Sequence, residues 1–134
     1  MSSLAIVEVV GAAILDEEGR VLAARRGPEM SLAGQWEFPG GKVEQGESHQ
    51  ESLAREIGEE LRIQIRVGDF VAMGEAALGG GRVVQLHVYE ATWASGDIVA
   101  VEHDQIRWIP LEALDTVGWA EADLPAVAKL SSRV

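Results

Sequence analysis

Three glutamates, Glu56, Glu59 and Glu60, stand at i, i+3 and i+4 within a run of strong helix formers, a spacing that stacks them on one helical face. Like charges so placed repel each other. They also fall in the last turns of the helix, where the macrodipole disfavours negative charge and Lys or Arg would serve stability better. A bound cation relieves the conflict, and hard carboxylate oxygens suit Mg²⁺, with Mn²⁺ as a substitute, alongside the phosphates of a substrate. A solvated acidic face is the competing explanation of the triplet taken alone.

The element that must position these acids is a helix from Ser48 to Leu61. Leu53, Ile57 and Leu61 recur at four-residue steps and give it one apolar edge. Ser48 is the expected N-cap, with Glu51 three residues on as its capping-box partner. Ahead of it, Gly40, Gly41 and Gly46 punctuate a loop without periodicity. A glycine pair lets the backbone pass close to another chain or a ligand, and an exposed carbonyl there, that of Gly40, can coordinate a cation. Lys42 is placed to contact a phosphate. It does not belong to a P-loop, because residue 43 is Val where that motif needs Ser or Thr.

Taken as one string, Gly41, Glu47, Arg55, Glu56, Ile57, Glu59, Glu60 and Ile63 resemble the Nudix hydrolase signature, G-x5-E-x7-R-E-U-x-E-E-x-G-U, where U is a bulky aliphatic residue. Arg62 stands where the signature has its last Gly. That Gly supplies the left-handed turn ending the helix, so Arg62 is expected to strain the exit by about 1 kcal/mol. The chain as a whole looks like a small MutT-type member, in the branch that includes CTP pyrophosphohydrolase-like proteins. The resemblance also takes in Arg25-Arg26, Trp36 to Lys42, Glu102-His103 ahead of Trp108, and Ala122 to Pro125.

The resemblance implies an α/β fold, an α/β/α sandwich around a mixed central sheet, formed by residues 1–134 as one domain. It implies that Glu56, Glu59 and Glu60, with the Gly40 carbonyl, bind divalent metal, and that Arg55 orients Glu56 and Glu47 through charged hydrogen bonds. Glu102 matches the family's extra acid on a late loop, as metal ligand or general base, and Glu56 is the other candidate base. The implied reaction is hydrolysis of a nucleoside triphosphate to monophosphate and pyrophosphate by attack of water at the β-phosphorus. Arg26, Lys42 and Asp123 are the expected substrate contacts. An ionised Asp123 would accept from an amine such as that of cytosine, and a protonated one could also read 8-oxoguanine, so a (d)CTP-type or oxidised nucleotide is expected. Hydrolysis of another nucleoside diphosphate derivative, such as ADP-ribose or a dinucleoside polyphosphate, and non-catalytic nucleotide sensing are the alternatives.

Charge and composition bound the partners. A formal net charge of −11 opposes binding to a nucleic-acid polymer or an anionic membrane, whereas a metal-complexed nucleotide remains compatible. The chain has no cysteine, which removes disulfides and thiolate metal sites and favours a cytoplasmic location, as monomer or homodimer. Met1 to Glu8 carries no basic segment and is not expected to be a leader.

The remaining elements are read from alternation and turn residues. Ala5 to Leu15 and Arg20 to Arg25 form a hairpin, and Trp36 to Phe38 is a short strand with aromatic core anchors. Ile63 to Met73 is a strand with a bulge at Gly68-Asp69, followed by a loop from Gly74 to Arg82. Val83 to Trp93 is a half-buried strand on which His87 reads as a surface or satisfied core histidine, with no second histidine at zinc spacing. Ile106 to Ile109 is a strand, Leu111 to Leu114 a helical turn, and Leu124 to Leu130 a helix whose expected cap is Asp123, with Pro in the first turn.

Overall fold

A computed structural model describes residues 5–134. The start of the segment read for a leader, residues 1–4, lies outside them. The elements in order are strands β1 (Ala5–Leu15), β2 (Arg20–Arg25), β3 (Trp36–Glu37) and β4 (Gly40–Lys42), helix α1 (His49–Leu61), strands β5 (Gln64–Gly79), β6 (Arg82–Ser95) and β7 (Gln105–Pro110), and helix α2 (Leu124–Ser131). Short 3-10 turns at Leu111–Thr116 and Glu121–Asp123 lie between β7 and α2.

The sheet runs β3-β2-β1-β6-β5, with β4 also paired to β1 and β7 to β2. It is mixed. β1 and β6 are parallel over Ala5↔Arg82 to Leu15↔Thr92, and the other pairs are antiparallel. Strand alternation sends Val10, Ala12 and Ile14 to one face, where they meet Leu53, Ile57 and Leu61 of α1. Ala13, Val21, Leu86 and Val88 face the other way and pack with Ala126, Val127 and Leu130 of α2. The result is the expected α/β/α arrangement. Each fully buried Leu or Ile of the α1 edge contributes about 1.5–3 kcal/mol by leaving water, which fixes the rotation of the acidic face.

Two expectations are corrected. Gly74 to Leu78 is strand, because β5 continues to Gly79 and pairs with β6 as far as Gly79↔Arg82, leaving a tight turn at Gly80-Gly81 with both residues at positive φ. The Ala-rich sequence is a poor strand former on its own, and cross-strand pairing overrides that preference. Asp123 does not cap α2. Its backbone is already helical (φ −84°, ψ −17°), since the turn Glu121–Asp123 runs straight into the helix, and its side chain makes no capping bond. The bulge is where it was expected, with Gly68 and Asp69 between the pairs Val67↔Ala91 and Phe70↔Tyr89. No helix of the described residues is long and apolar enough to cross a membrane.

Candidate active site

The site begins where β4 crosses β1 beneath α1. Gly11 faces Gly40 and Val10 faces Gly41 in the antiparallel register. A Cβ on Gly40 would lie 1.9 Å from the Val10 carbonyl oxygen, and one on Gly41 would lie 2.3 Å from the Glu56 carboxyl carbon. No side chain fits at Gly40, where the clash is with backbone, and one at Gly41 would displace the Glu56 carboxylate. The glycine pair therefore sets how closely the β4 backbone approaches the acids of α1, and the Gly40 N–H donates to Glu60 Oε2 at 3.3 Å.

The helix delivers the acids as the sequence predicts. Ser48 caps it with a complete capping box, the Glu51 N–H donating to Ser48 Oγ at 3.1 Å and the Ser48 N–H to Glu51 Oε1 at 2.9 Å. Arg62 ends it in the left-handed conformation, φ 61° and ψ 28°, as the signature Gly would. No basic residue occupies the last turn. Glu60 is buried at 8% exposure, and that burial, reinforced by Glu102, Glu37 and Glu56, pushes its carboxyl up to about 8. Burial also raises Glu56, against the opposing pull of Arg55. Glu59 is exposed at the rim.

Arg55 is the hub of the cluster. Its guanidinium forks onto Glu47, Nε to Oε2 at 2.7 Å and Nη2 to Oε1 at 3.0 Å. Nη1 reaches Glu56 Oε1 at 3.0 Å and Glu59 Oε2 at 3.4 Å, and Nη2 also donates to the Lys42 carbonyl at 3.2 Å. Arg55 holds the Glu47 carboxyl down at about 2, and Glu47 in turn raises the guanidinium. The Lys42 side chain is exposed; its carbonyl, not its ammonium, joins this network.

A second set of side chains faces the first. The chain after β6 is held on the end of α1 by the Val101 N–H donating to the Glu60 carbonyl and the Val99 N–H to that of Leu61. Glu102, exposed on this loop, lies close enough for its charge to raise both Glu56 and Glu60. Buried His103 meets Glu37 through Nε2 at 2.8 Å, and Glu37 accepts from Arg26 Nη1 at 2.8 Å. Glu37 thus joins the Arg26 loop to the Glu102 loop. Sequence reading missed this tie, although alternation placed Glu37 opposite the two aromatic anchors. Arg26 also bonds the Ser31 carbonyl and hydroxyl.

Asp123 reaches the same region from the opposite side of the chain. Its Oδ2 accepts from the Phe38 N–H at 2.9 Å, and burial pushes its carboxyl up to about 8 despite that bond, with Glu37 adding to the rise and Arg26 opposing it. Gly74 of β5 allows the close packing, since a Cβ there would lie 1.9 Å from the Ala122 carbonyl oxygen. The structure so gathers Glu47, Glu56 and Glu59 about Arg55, sets Glu60 against Gly40 and brings the charge of Glu102 to bear on Glu56 and Glu60, with Arg26 and Asp123 near Glu37.

This donor set suits a hard divalent ion. Several carboxylates pair with Arg55, and the buried acid Glu60 has one backbone N–H as its hydrogen-bond partner among the described residues. Comparison with known proteins gives the same direction. The NUDIX domain profile matches residues 6–130. The chain is 39% identical to the CTP pyrophosphohydrolase of Escherichia coli (strain K12) over 90% of this chain and 87% of that one. It is 38% identical to a putative 8-oxo-dGTP diphosphatase 2 of Mycobacterium tuberculosis (strain ATCC 25618 / H37Rv), over 83% and 79%. The crystal structure of a MutT protein from Methanosarcina mazei Go1 superposes with a TM-score of 0.85 at 27% identity, over 99% and 98% of the two chains. A profile match across nearly the whole chain, relatives of this identity and the acids gathered on α1 lead to one conclusion: the chain belongs to the NUDIX domain family and is a hydrolase of that family.

Proposed function

We propose that the protein is a Mg²⁺-dependent pyrophosphohydrolase that converts a (d)CTP-type or oxidised nucleoside triphosphate, such as 8-oxo-dGTP, to its monophosphate and pyrophosphate. The observation that carries this reading is the approach of Glu56 and Glu60 to the Gly40-Gly41 backbone, with Glu60 buried and raised to about 8 and Glu102 near enough for its charge to act on both. Glu56, Glu59 and Glu60, with the Gly40 carbonyl, would hold the metal, which when bound neutralises phosphate charge and activates water. Arg55 fixes the rotamers of Glu47 and Glu56. Glu56, or Glu102 from the facing loop, accepts the proton of the water that attacks the β-phosphorus, and the nucleoside monophosphate leaves.

The base preference rests on Asp123. With its carboxyl at about 8 it is protonated at neutral pH and offers one donor and one acceptor. Cytosine presents a complementary amine and ring nitrogen. On its N7/O6 edge ordinary guanine presents two acceptors, and oxidation at C8 turns N7 into a donor, which gives that edge the same match. Arg26 and Lys42 are the proposed phosphate or base contacts at the rim. Names of relatives acting on CTP and 8-oxo-dGTP support the same two substrates.

The test is product analysis with Mg²⁺ over CTP, dCTP, dGTP, 8-oxo-dGTP, ADP-ribose and a dinucleoside polyphosphate. Monophosphate plus pyrophosphate from CTP, dCTP or 8-oxo-dGTP is the expected result, with dGTP poor. Cleavage of ADP-ribose or the dinucleotide alone would remove the reading of Asp123. Glu60→Gln is expected to keep the fold by circular dichroism and lose more than about 100-fold in kcat. Wild-type turnover in that variant would remove the metal-site argument.

A further inference from the structure

A second cluster of ligating side chains lies at the other end of α1. Glu8 on β1, His49 in the first turn of α1 and His87 on β6 converge on the α1 face of the sheet, and one ligand atom from each lies within 4.8 Å of the others. Their meeting follows from the parallel register. Glu8 stands beside Gln85 and Val10 beside His87, so Glu8 and His87 are diagonal neighbours on one face, and the helix start sets His49 over them. The His49 and His87 ring centroids are 4.5 Å apart. The sequence reading of His87 is corrected here: it is half-buried and unsatisfied, and its partner histidine comes from a distant part of the chain.

The spacing is close to that of a coordination sphere. Zn–N and Zn–O bonds of about 2.0–2.1 Å in a tetrahedron put ligand atoms about 3.3 Å apart. His49 Nε2 lies 2.5 Å from Glu8 Oε2, and His87 Nε2 lies 4.0 Å from the same oxygen. Shifts of under about 1 Å would make both distances tetrahedral. His87 Nε2 is buried and has no hydrogen-bond partner among the described residues, an orphan that an ion at this point would satisfy. His49 Nδ1 is held by the Tyr89 hydroxyl at 2.8 Å, the outer-shell contact that usually fixes a ligating imidazole.

We propose that Glu8, His49 and His87 form a second metal site, selective for Zn²⁺ or a similar imidazole-preferring ion, which ties the start of α1 to β1 and β6. Two imidazoles and one carboxylate suit that ion, whereas the all-oxygen cluster suits Mg²⁺. The sites are independent. His49 precedes Glu56 by seven positions, or about 10 Å along the helix at 1.5 Å per residue. Three protein ligands leave a fourth position for water or a further ligand.

Calorimetric titration with ZnCl₂ in excess Mg²⁺ tests this. Wild type and Glu60→Gln are both expected to bind one Zn²⁺ at the new site, and His49→Gln and His87→Gln to weaken it by at least about tenfold. Substitution by Co²⁺ should give the visible absorption of a tetrahedral ion in wild type and in Glu60→Gln, and in neither histidine variant. His49→Gln changes a partly exposed helix start, so its fold is expected to survive, and Mg²⁺-dependent turnover of either histidine variant should match wild type. Zn²⁺ binding of equal affinity in both histidine variants, or no Zn²⁺ binding in Glu60→Gln, overturns the proposal in favour of a hydrogen-bonded triad.

Discussion

Replacing Asp123 by Asn should stabilise the protein at alkaline pH, by an amount that grows as pH rises from about 4 to about 8. Asp123 is 3% exposed, and its carboxyl is pushed up to about 8 from an ordinary 3.8, chiefly by burial. A raised acid means that the native state holds a proton that the unfolded chain has lost. The stability contribution is complete below about 3.8, falls by about 1.4 kcal/mol per pH unit above it, and is lost once pH passes about 8. Across that window the ceiling is about 6 kcal/mol, a large share of the 5–15 kcal/mol of a typical domain. Asn is neutral throughout and can turn its carbonyl oxygen to the Phe38 N–H, which keeps the 2.9 Å bond. Urea midpoints of wild type and Asp123→Asn at pH 5, 7 and 9, without divalent metal, provide the measurement. The raised carboxyl of Glu60 is present in both proteins and largely cancels in the difference. An advantage for the variant that grows by less than about 1 kcal/mol from pH 5 to pH 9 would refute the argument, because Asp123 would then be ionised in the folded protein at no cost.

Other perturbations bear on the scaffold of the site. Arg62→Gly should raise stability by about 1 kcal/mol, since the residue sits at φ 61° where a side chain is strained, and a thermal melt that falls instead would place a stabilising contact on the exposed arginine. Gly41→Ala should cut kcat by more than about tenfold in soluble, folded protein, because its Cβ would stand 2.3 Å from the Glu56 carboxylate; unchanged kcat would mean that Glu56 can move freely. Arg55→Lys keeps one charge but cannot fork onto Glu47 while holding Glu56, so a loss of about 10–100-fold in kcat with KM little changed is expected, and wild-type kcat would show that the charge alone suffices.

Much of this was legible before any coordinate. The capping box at Ser48 and Glu51, the apolar edge Leu53-Ile57-Leu61 and the stacked acids all depend on contacts between residues three or four apart, and helix geometry imposes those wherever the helix lies, whereas the left-handed exit at Arg62 was seen only in the structure. The β1-β2 hairpin and the bulge at Gly68-Asp69 follow from turn residues in the same local way. Tertiary structure decided the rest. Asp123 had the residue type and position of a cap, yet it turned inward to Phe38 because the preceding turn was already helical. Gly74 to Leu78 became strand because β6 offered it a ladder. Glu37 met His103 and Arg26, and Glu8 met His49 and His87, through pairings of β1, β2, β3 and β6 that bring together residues far apart in the chain. The sequence alone determined the helix, its acids and the chemistry they can do, because local periodicity carries that information. Which residues face those acids, and which side chains gather at the far end of the helix, was settled by strand register, where a shift of one residue would turn every one of them to the opposite face.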